Sequence, residues 1–235
     1  MGEAVPPVTT WLGRHGQSVV NAGLPTEGHD DVALTELGWQ QACAVARRVE
    51  RRPDLLVVSP FLRARATCEP IQARWPATRR ETWPIQELTY LSPARCHGTT
   101  SATRRPMVDA YWRRCDPHYV DGSDSESFSA FSNRLHDFHR RLLALDCSYV
   151  IAVGHGQFFR AYMMGLTDGF TVTPEWMARY RAVETGSPIA NCEIIELNGE
   201  TLNRARGAAL AASSAQDEIG GDQKRDEGQN PDLAP

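Results

Sequence analysis

The amino-acid sequence predicts an α/β fold, a three-layer α/β/α sandwich in which helices cover both faces of a mostly parallel central sheet. Short apolar runs alternate along the chain with segments of helical periodicity, and this alternation is typical of parallel βαβ units. With 235 residues and 41% hydrophobic content, the chain is long enough to bury one full core. We therefore expect one main domain.

Five short apolar runs are the predicted strands. Residues 8–12, 55–58 and 149–153 are rich in apolar side chains, as buried parallel strands are, and we expect them to be core strands. Residues 83–85 predict a short edge strand, and residues 192–197 predict a final strand.

Two helices are predicted from their capping residues. Thr35 is placed to cap the first, with Glu36 near the positive end of the helix dipole. Small and apolar residues then recur on one side of this helix, at Gly38, Ala42, Val45 and Val49. Ser59 as N-cap and Pro60 at the first helical position predict a second helix, which places Arg63 in its first turn.

The strongest helical pattern follows Ser125, which we expect to cap the helix. Its apolar residues are spaced by three and four, at Phe128, Phe131, Leu135, Phe138, Leu142 and Leu145. Further helices are expected directly after His155 and over residues 174–184.

The alternation of strands and helices is interrupted once and then ends. Residues 92–123 are irregular and rich in Arg, Pro and Thr, so we expect an insertion or cap there. Beyond the domain at residues 1–206, large apolar residues become rare. Residues 207–235 are therefore predicted to be a disordered tail.

Composition and charge exclude several classes of partner. The net charge of −4 gives no reason to expect a nucleic-acid partner. No apolar run approaches the roughly 20 residues that span a bilayer, and no signal peptide is recognisable. We expect a cytoplasmic protein whose six cysteines are reduced. The sequence does not indicate the oligomeric state.

Three motifs stand directly after predicted core strands. They are Arg14-His15-Gly16, Ser59-Pro60-Phe61-Leu62-Arg63 and Gly154-His155-Gly156. Because ligands bind at the carboxyl ends of the strands in open α/β sheets, the side chains of these motifs are expected to meet there. Two guanidiniums and two imidazoles around one point describe a receptor for a phosphoryl group.

These motifs, with Glu87, resemble the histidine phosphatase superfamily in its phosphoglycerate mutase-like branch (branch 1), in order and approximate spacing. The resemblance covers about residues 8–200. It implies a phosphoglycerate mutase-like fold and a metal-independent phosphomonoesterase that acts through a phosphohistidine intermediate on a small phosphorylated metabolite. No cofactor is implied.

The site roles follow from this chemistry and from the resemblance. His15 is the candidate nucleophile, since a neutral imidazole nitrogen attacks phosphorus without first losing a proton. Arg14, Arg63 and His155 would hold the phosphoryl oxygens, and their charge makes a metal ion unnecessary. The resemblance makes Glu87 the general acid.

Desolvation beside Tyr90 and Leu91 is expected to raise the pKa of Glu87. Glu81 and Asp109 remain alternatives for the acid. The candidate substrate-binding residues are Asn21, Gly156, Gln17 and the cap arginines Arg113 and Arg114. Asn21 matches a family position that contacts the phosphoryl group. Gly156 leaves room for the backbone to approach that group. The cap arginines suggest an anionic group beyond the transferred phosphate.

Three other interpretations stay open. The nearest is a cofactor-dependent phosphoglycerate mutase, although the proline run expected after Trp112-Arg113-Arg114 is missing. A non-catalytic scaffold of the same fold is the second. A zinc-binding module built from Cys96-His97 and Cys115-Asp116-Pro117-His118 is the third, but its spacing fits no strong ligand pattern.

Overall fold

Five strands form one sheet in the computed structural model, which describes residues 9–202. They are β1 (Thr9–Arg14), β2 (Leu55–Val58), β3 (Arg79–Thr82), β4 (Tyr149–Gly154) and β5 (Ile194–Asn198). The order across the sheet is β3-β2-β4-β1-β5. All neighbouring pairs are parallel except β1 and β5, which are antiparallel.

Helices cover both faces of this sheet. They are α1 (Glu36–Arg48), α2 (Leu62–Arg74), α3 (Pro93–Cys96), α4 (Ser101–Arg114), α5 (Phe128–Leu143), α6 (Gly156–Asp168) and α7 (Pro174–Gly186). The core on one face joins α1 and α2 to Leu56 and Val58 of β2. The core on the other face joins α5, α6 and α7 to Leu55 and Val57. The predicted three-layer α/β/α fold is confirmed.

The central strands are buried on both faces because helices cover both sides. Every residue of β2 and β4 is buried, as the apolar runs predicted. The register pairs Arg14 with Gly154 and Val58 with Val153. The carboxyl ends of β1, β2 and β4 therefore lie side by side.

The predicted helices are present, but the start of α5 and the position of the edge strand differ from the prediction. Thr35 caps α1 by accepting a hydrogen bond from the Gly38 N–H at 3.0 Å. The cap of α5 is Ser127 rather than Ser125. The edge strand lies at Arg79–Thr82 rather than at residues 83–85. Its side chains are largely exposed and polar, as edge strands often are, so it carries no apolar signal.

The cap region is more regular than expected. Residues 92–123 contain α3 and α4, and α4 begins with a capping box between Thr100 and Thr103. Pro106 lies inside α4, and a proline within a helical segment argues against a helix at the sequence level. The cap is thus a helical insertion.

Other expectations concern the cysteines, membranes and the termini. All six cysteines are free thiols. Within residues 9–202, no helix is long and apolar enough to cross a membrane. The predicted tail at 207–235 and the first residue of the predicted strand at residue 8 lie outside the described residues.

Candidate active site

Four predicted catalytic side chains meet at the carboxyl ends of β1, β2 and β4. The backbone N–H of His15 donates to the Gly154 carbonyl at 2.9 Å, which links the end of β1 to the end of β4. The rings of His15 and His155 lie 5.1 Å apart between centroids. Oε2 of Glu87 lies 3.6 Å from Nδ1 of His155 and 3.8 Å from a terminal nitrogen of Arg63.

The ring of His15 is buried and held at both nitrogens. Its Nδ1 lies 2.7 Å from the Gly16 carbonyl, which can only accept, so we assign the ring proton to Nδ1. Its Nε2 accepts from Nε of Arg63 at 3.2 Å. Burial, together with the nearby charges of His155 and Arg63, holds the pKa of His15 well below its usual range. His15 is therefore neutral at neutral pH, with a lone pair on Nε2.

His155 is fully buried and is positioned by Ser59. Oγ of Ser59 lies 2.8 Å from Nε2 of His155. Burial and the Arg63 charge outweigh Glu87 and lower the pKa of His155 to about 4. The prediction that Ser59 is the N-cap of α2 is wrong, because α2 starts at Leu62 with Phe61 as its N-cap. Arg63 nevertheless stands in the first turn of α2, as predicted.

Glu87 lies on the segment that follows β3 and faces the start of α6. Its Oε1 accepts a hydrogen bond from the Gln157 N–H at 3.1 Å. Burial alone would raise the pKa of Glu87, but the adjacent His155 ring and the charge of Arg63 outweigh it and lower the pKa. The expected raised pKa is therefore wrong for the ligand-free site, since the cations dominate over desolvation.

The loop that carries His15 is held by close backbone packing. A Cβ on Gly16 would lie 2.5 Å from the carbonyl oxygen of Gly38, and a Cβ on Gly38 would lie 2.1 Å from that of Gln17. The Gly16 N–H also donates to Oγ1 of Thr67 at 2.9 Å. Both glycines are required so that α1 can approach the loop, because any side chain there would displace it.

A cavity of about 180 Å³ opens in front of this cluster. Ligand sites for drug-sized molecules are commonly about 300–1,000 Å³, so this cavity suits a small ligand. His15, Arg63 and Glu87 are among the residues that line it. Asn21 also lines it, and its Oδ1 accepts from the Ser18 N–H at 3.2 Å.

Arg14 and Gly156 form a separate contact beside the cluster. A nitrogen of the Arg14 guanidinium donates to the Ile189 carbonyl, and a Cβ on Gly156 would lie 3.2 Å from Cδ of Arg14. Neither residue is among those that line the cavity. The absent side chain of Gly156 thus makes room for Arg14, rather than for a ligand as expected.

Three further predicted binding residues do not line the cavity. Oε1 of Gln17 accepts from Oγ1 of Thr35 at 2.8 Å, which places it at the start of α1. Arg113 and Arg114 are exposed at the far end of α4, and the Arg114 guanidinium lies 3.9 Å from the centre of the Tyr119 ring. Their positions do not support the predicted contact with substrate.

Among the residues that line the cavity, sequence reasoning did not single out His29, Arg104 or Gln157. Arg104 was one of several arginines in the cap, and no pattern set it apart. Gln157 follows the Gly154-His155-Gly156 motif directly, so its place at the start of a helix was a usable signal.

Glu81 and Asp109, the alternative acids, lie elsewhere. Glu81 accepts from Nε1 of Trp83 at 2.7 Å, and Asp109 pairs with Arg105 on the surface of α4. Neither lines the cavity.

The proposed zinc ligands do not come together. Within residues 9–202, the one group of three His, Cys, Asp or Glu side chains close enough to share a metal ion is His15, Glu87 and His155, whose ligand atoms lie within 4.8 Å of one another. Cys96, His97, Cys115 and His118 form no such group in this part of the chain.

Comparison with known proteins identifies the family. The sequence model of the histidine phosphatase superfamily (branch 1) matches residues 10–196. The chain belongs to this superfamily. The prediction from the Arg-His-Gly, Ser-Pro and Gly-His-Gly motifs is therefore confirmed.

Relatives of this superfamily member include both mutases and phosphatases. The 2,3-bisphosphoglycerate-dependent phosphoglycerate mutase of Brucella canis is 28% identical over 205 residues, which is 82% of this chain and 94% of the mutase. The glucosyl-3-phosphoglycerate phosphatase of Mycolicibacterium vanbaalenii is 46% identical over 50 residues, which is 21% of this chain and 22% of that protein.

Solved structures share the fold. The alpha-ribazole phosphatase of Shigella flexneri has a TM-score of 0.63 at 19% identity, covering 81% of this chain and 90% of that one. The mycobacterial glucosyl-3-phosphoglycerate phosphatase in complex with VO3 has a TM-score of 0.60 at 24% identity, covering 81% and 90%.

Proposed function

We propose that this member of the superfamily is a phosphohydrolase that removes the phosphoryl group from a small phosphorylated metabolite through a phosphohistidine on His15. The observation that carries the proposal is the state of His15. Its Nε2 is unprotonated and lies beside Arg63, its Nδ1 faces a carbonyl, and the residue lines a cavity. A neutral nitrogen nucleophile next to a fixed cation is the arrangement that phosphoryl transfer needs.

In the first step, Nε2 of His15 attacks phosphorus and the bond from phosphorus to the ester oxygen breaks. Glu87, which is ionised in the ligand-free site, takes up a proton as the substrate binds and gives it to the leaving alkoxide. The positive charge of Arg63 stabilises the phosphoryl oxygens during transfer. His155 was expected to hold them too, but it is fully buried, does not line the cavity and lies beside Glu87. The Gly16 carbonyl accepts from the Nδ1–H of His15 and so stabilises the charge that develops on the ring.

In the second step, water attacks the phosphorus of phosphohistidine. The Glu87 carboxylate takes a proton from this water, and the phosphorus–nitrogen bond breaks. Inorganic phosphate leaves, and His15 returns to the neutral form. Glu87 ends this step protonated and releases that proton when phosphate leaves, so the proton taken up on substrate binding is returned.

The same cluster explains why no metal ion is required for the proposed reaction. Arg63 is buried and supplies a fixed positive charge where charge accumulates in the transition state. The burial of the cluster strengthens this interaction, because water screens it little.

Residues 92–123 act as a cap in this proposal. They contribute Cys96, Arg104 and Val108 to the cavity wall, whereas the catalytic groups come from the sheet edge. We place the protein in the cytoplasm, as the sequence predicts, and its free thiols support this location.

The second candidate function is phosphoglycerate mutase activity. The observation in its favour is the match to the Brucella canis mutase, which extends over 94% of that protein. A mutase would return the phosphoryl group from His15 to a substrate oxygen, and a phosphatase transfers it to water. Isomerisation of phosphoglycerate primed with the bisphosphate distinguishes the two.

The direct test is phosphate release from a panel of phosphomonoesters in the presence of EDTA. Wild-type protein should release phosphate under chelation and should form an acid-labile phosphoenzyme, whereas His15→Ala should do neither. His136→Ala alters an exposed histidine on α5 and should behave as wild type. Turnover by His15→Ala would refute the proposed nucleophile.

A further inference from the structure

Arg104 reaches the cavity from the cap and is fixed there through one nitrogen. It lies in the first turn of α4. Its NH1 donates to Oγ1 of Thr26 at 3.0 Å, to the Thr99 carbonyl at 2.9 Å and to Oγ1 of Thr99 at 3.0 Å. These bonds tie the cap to the loop that follows β1. They leave the other edge of the guanidinium to face other partners.

The other edge of the Arg104 guanidinium carries further N–H donors. An arginine carries five N–H groups, one on Nε and two on each terminal nitrogen. The NH2 group of Arg104 reaches only Oγ of Ser101, at the long distance of 3.5 Å, and in residues 9–202 no protein acceptor bonds to Nε. The side chain is half-buried and lines the cavity. Donors are therefore available to a bound molecule.

The charge of Arg104 is also uncompensated. Three other arginines near the cavity or in the cap have a carboxylate within 4.0 Å: Arg63 has Glu87, Arg95 has Asp121, and Arg105 has Asp109. Among the described residues, no carboxylate lies within that distance of Arg104. A partly buried cation without a counter-charge favours an anionic ligand.

The cavity that Arg63 and Arg104 both line suits a short organic chain. Leu88, Leu91 and Val108 line it, so part of its wall is apolar. Arg63 is bonded to His15, and Arg104 belongs to the cap. A molecule that fills this space meets a cation where it is dephosphorylated, an apolar wall, and a second cation.

We infer that Arg104 binds a second anionic group of the substrate, so that the preferred substrate is a small phosphomonoester that also carries a carboxylate or a second phosphate. This inference rests on the proposed phosphatase function. It replaces the expectation that Arg113 and Arg114 bind such a group, since both are exposed and do not line the cavity.

The test uses two phosphomonoesters that differ only at the end remote from phosphorus. 3-Phosphoglycerate has a carboxylate where glycerol 3-phosphate has a hydroxymethyl group. Wild-type kcat/KM should favour 3-phosphoglycerate, and Arg104→Gln should lower this value by about tenfold to a hundredfold, mainly through KM, as expected for the loss of a charged hydrogen bond. The loss with glycerol 3-phosphate should be about threefold or less.

Two further variants and one further substrate separate binding from a structural role. Arg104→Lys keeps the charge and should retain part of the preference. Arg105→Gln removes the neighbouring exposed arginine and should leave both values unchanged. Propane-1,3-diol bisphosphate in place of 3-phosphoglycerate shows whether a phosphate serves as well as a carboxylate.

The possible failures are distinct. An equal loss on both substrates would mean that Arg104 only ties the cap to the loop, and it would overturn the inference while leaving the phosphatase intact. A wild type with no preference for the anionic substrate would do the same. No phosphate release from any ester, p-nitrophenyl phosphate included, would overturn the proposed function itself.

Discussion

Nε of Arg63 donates a hydrogen bond to Nε2 of His15 at 3.2 Å. The lone pair proposed to attack phosphorus is therefore engaged in the ligand-free site. A bound phosphoryl group offers Arg63 a stronger, charged acceptor, so substrate binding frees the nucleophile when it captures the arginine.

Replacing Arg63 with lysine tests this exchange. Lysine keeps the charge but lacks the planar fork that donates to both His15 and phosphoryl oxygens. We expect kcat for phosphate release to fall by about 10²–10³-fold, as when one transition-state donor is removed. Arg65→Lys is the matched control on α2, because Arg65 is exposed and donates to the Pro60 carbonyl rather than to His15. Comparable losses in both variants would contradict the proposed role.

The general acid is tested with leaving groups of different basicity. Glu87→Gln should slow hydrolysis of alkyl phosphates by about 10²–10⁴-fold, because their alkoxides need a proton. It should slow p-nitrophenyl phosphate far less, since its phenolate departs unprotonated. Glu81→Gln changes a carboxylate outside the cavity and should have little effect. If Glu87→Gln slowed both substrates equally, another residue would be the acid.

The lowered pKa of Glu87 predicts proton uptake on ligand binding. Glu87 is ionised in the ligand-free site because the adjacent His155 ring and the Arg63 charge outweigh burial. A bound oxyanion brings like charge to Glu87 and engages Arg63, which raises the pKa of the carboxyl. Isothermal titration of wild type with vanadate, in buffers of different ionisation enthalpy, should show protons taken up near pH 6. Binding by Glu87→Gln should show markedly less uptake.

The contact between α1 and the His15 loop predicts a sensitive glycine. Gly38→Ala places a methyl group 2.1 Å from the Gln17 carbonyl oxygen, so the loop or the helix must move. We expect about 1–3 kcal/mol of destabilisation in chemical denaturation and a loss of kcat. Gly186→Ala has nothing within 4 Å of the new Cβ, and its free energy of unfolding should change by less than about 0.5 kcal/mol. Equal behaviour of the two variants would mean that the loop adapts freely.

A buried histidine away from the active site predicts how stability depends on pH. His139 lies on α5 with its Nδ1 3.0 Å from the Tyr162 hydroxyl, and burial lowers its pKa to about 4. Between about pH 6.5 and 4, the unfolded chain binds a proton at this residue that the folded chain does not. The free energy of unfolding should therefore fall as pH drops through this range and level off below it.

The contribution of His139 is isolated by comparison with a variant. The full effect of a shift of this size is about 3 kcal/mol. His139→Gln should remove that part of the acid dependence, measured by urea unfolding at several pH values. Parallel curves for wild type and variant would contradict the assignment.

The sequence was sufficient for the residues that stand at strand ends. His15, Arg63 and His155 each follow a core strand closely, and parallel strands bring their carboxyl ends to one edge. That topological rule alone predicts their meeting. The prediction that Ser59 caps α2 was wrong. The sequence does not distinguish a serine before a proline that caps a helix from one whose hydroxyl bonds to a histidine.

The sequence was insufficient in the cap, where no strand fixes the direction of the chain. Because Pro106 argues against a helix, α4 was not predicted. Without a helix, the sequence does not show which arginines of the cap face the cavity. Arg104 and Arg114 stand ten residues apart on α4, which is about 15 Å along a helix axis. Only the three-dimensional arrangement shows that the first turn, rather than the last, faces the cavity.

The segment that leads into β5 gives this fold a particular order of assembly. The Asn191 side chain donates to the His15 carbonyl at 3.0 Å, and the Cys192 N–H donates to the Arg14 carbonyl at 3.1 Å. The backbone of the nucleophile is thus secured by residues that a ribosome adds almost 180 positions later. A nascent chain that lacks them leaves His15 loosely held, so catalytic competence arrives only after these residues have been added.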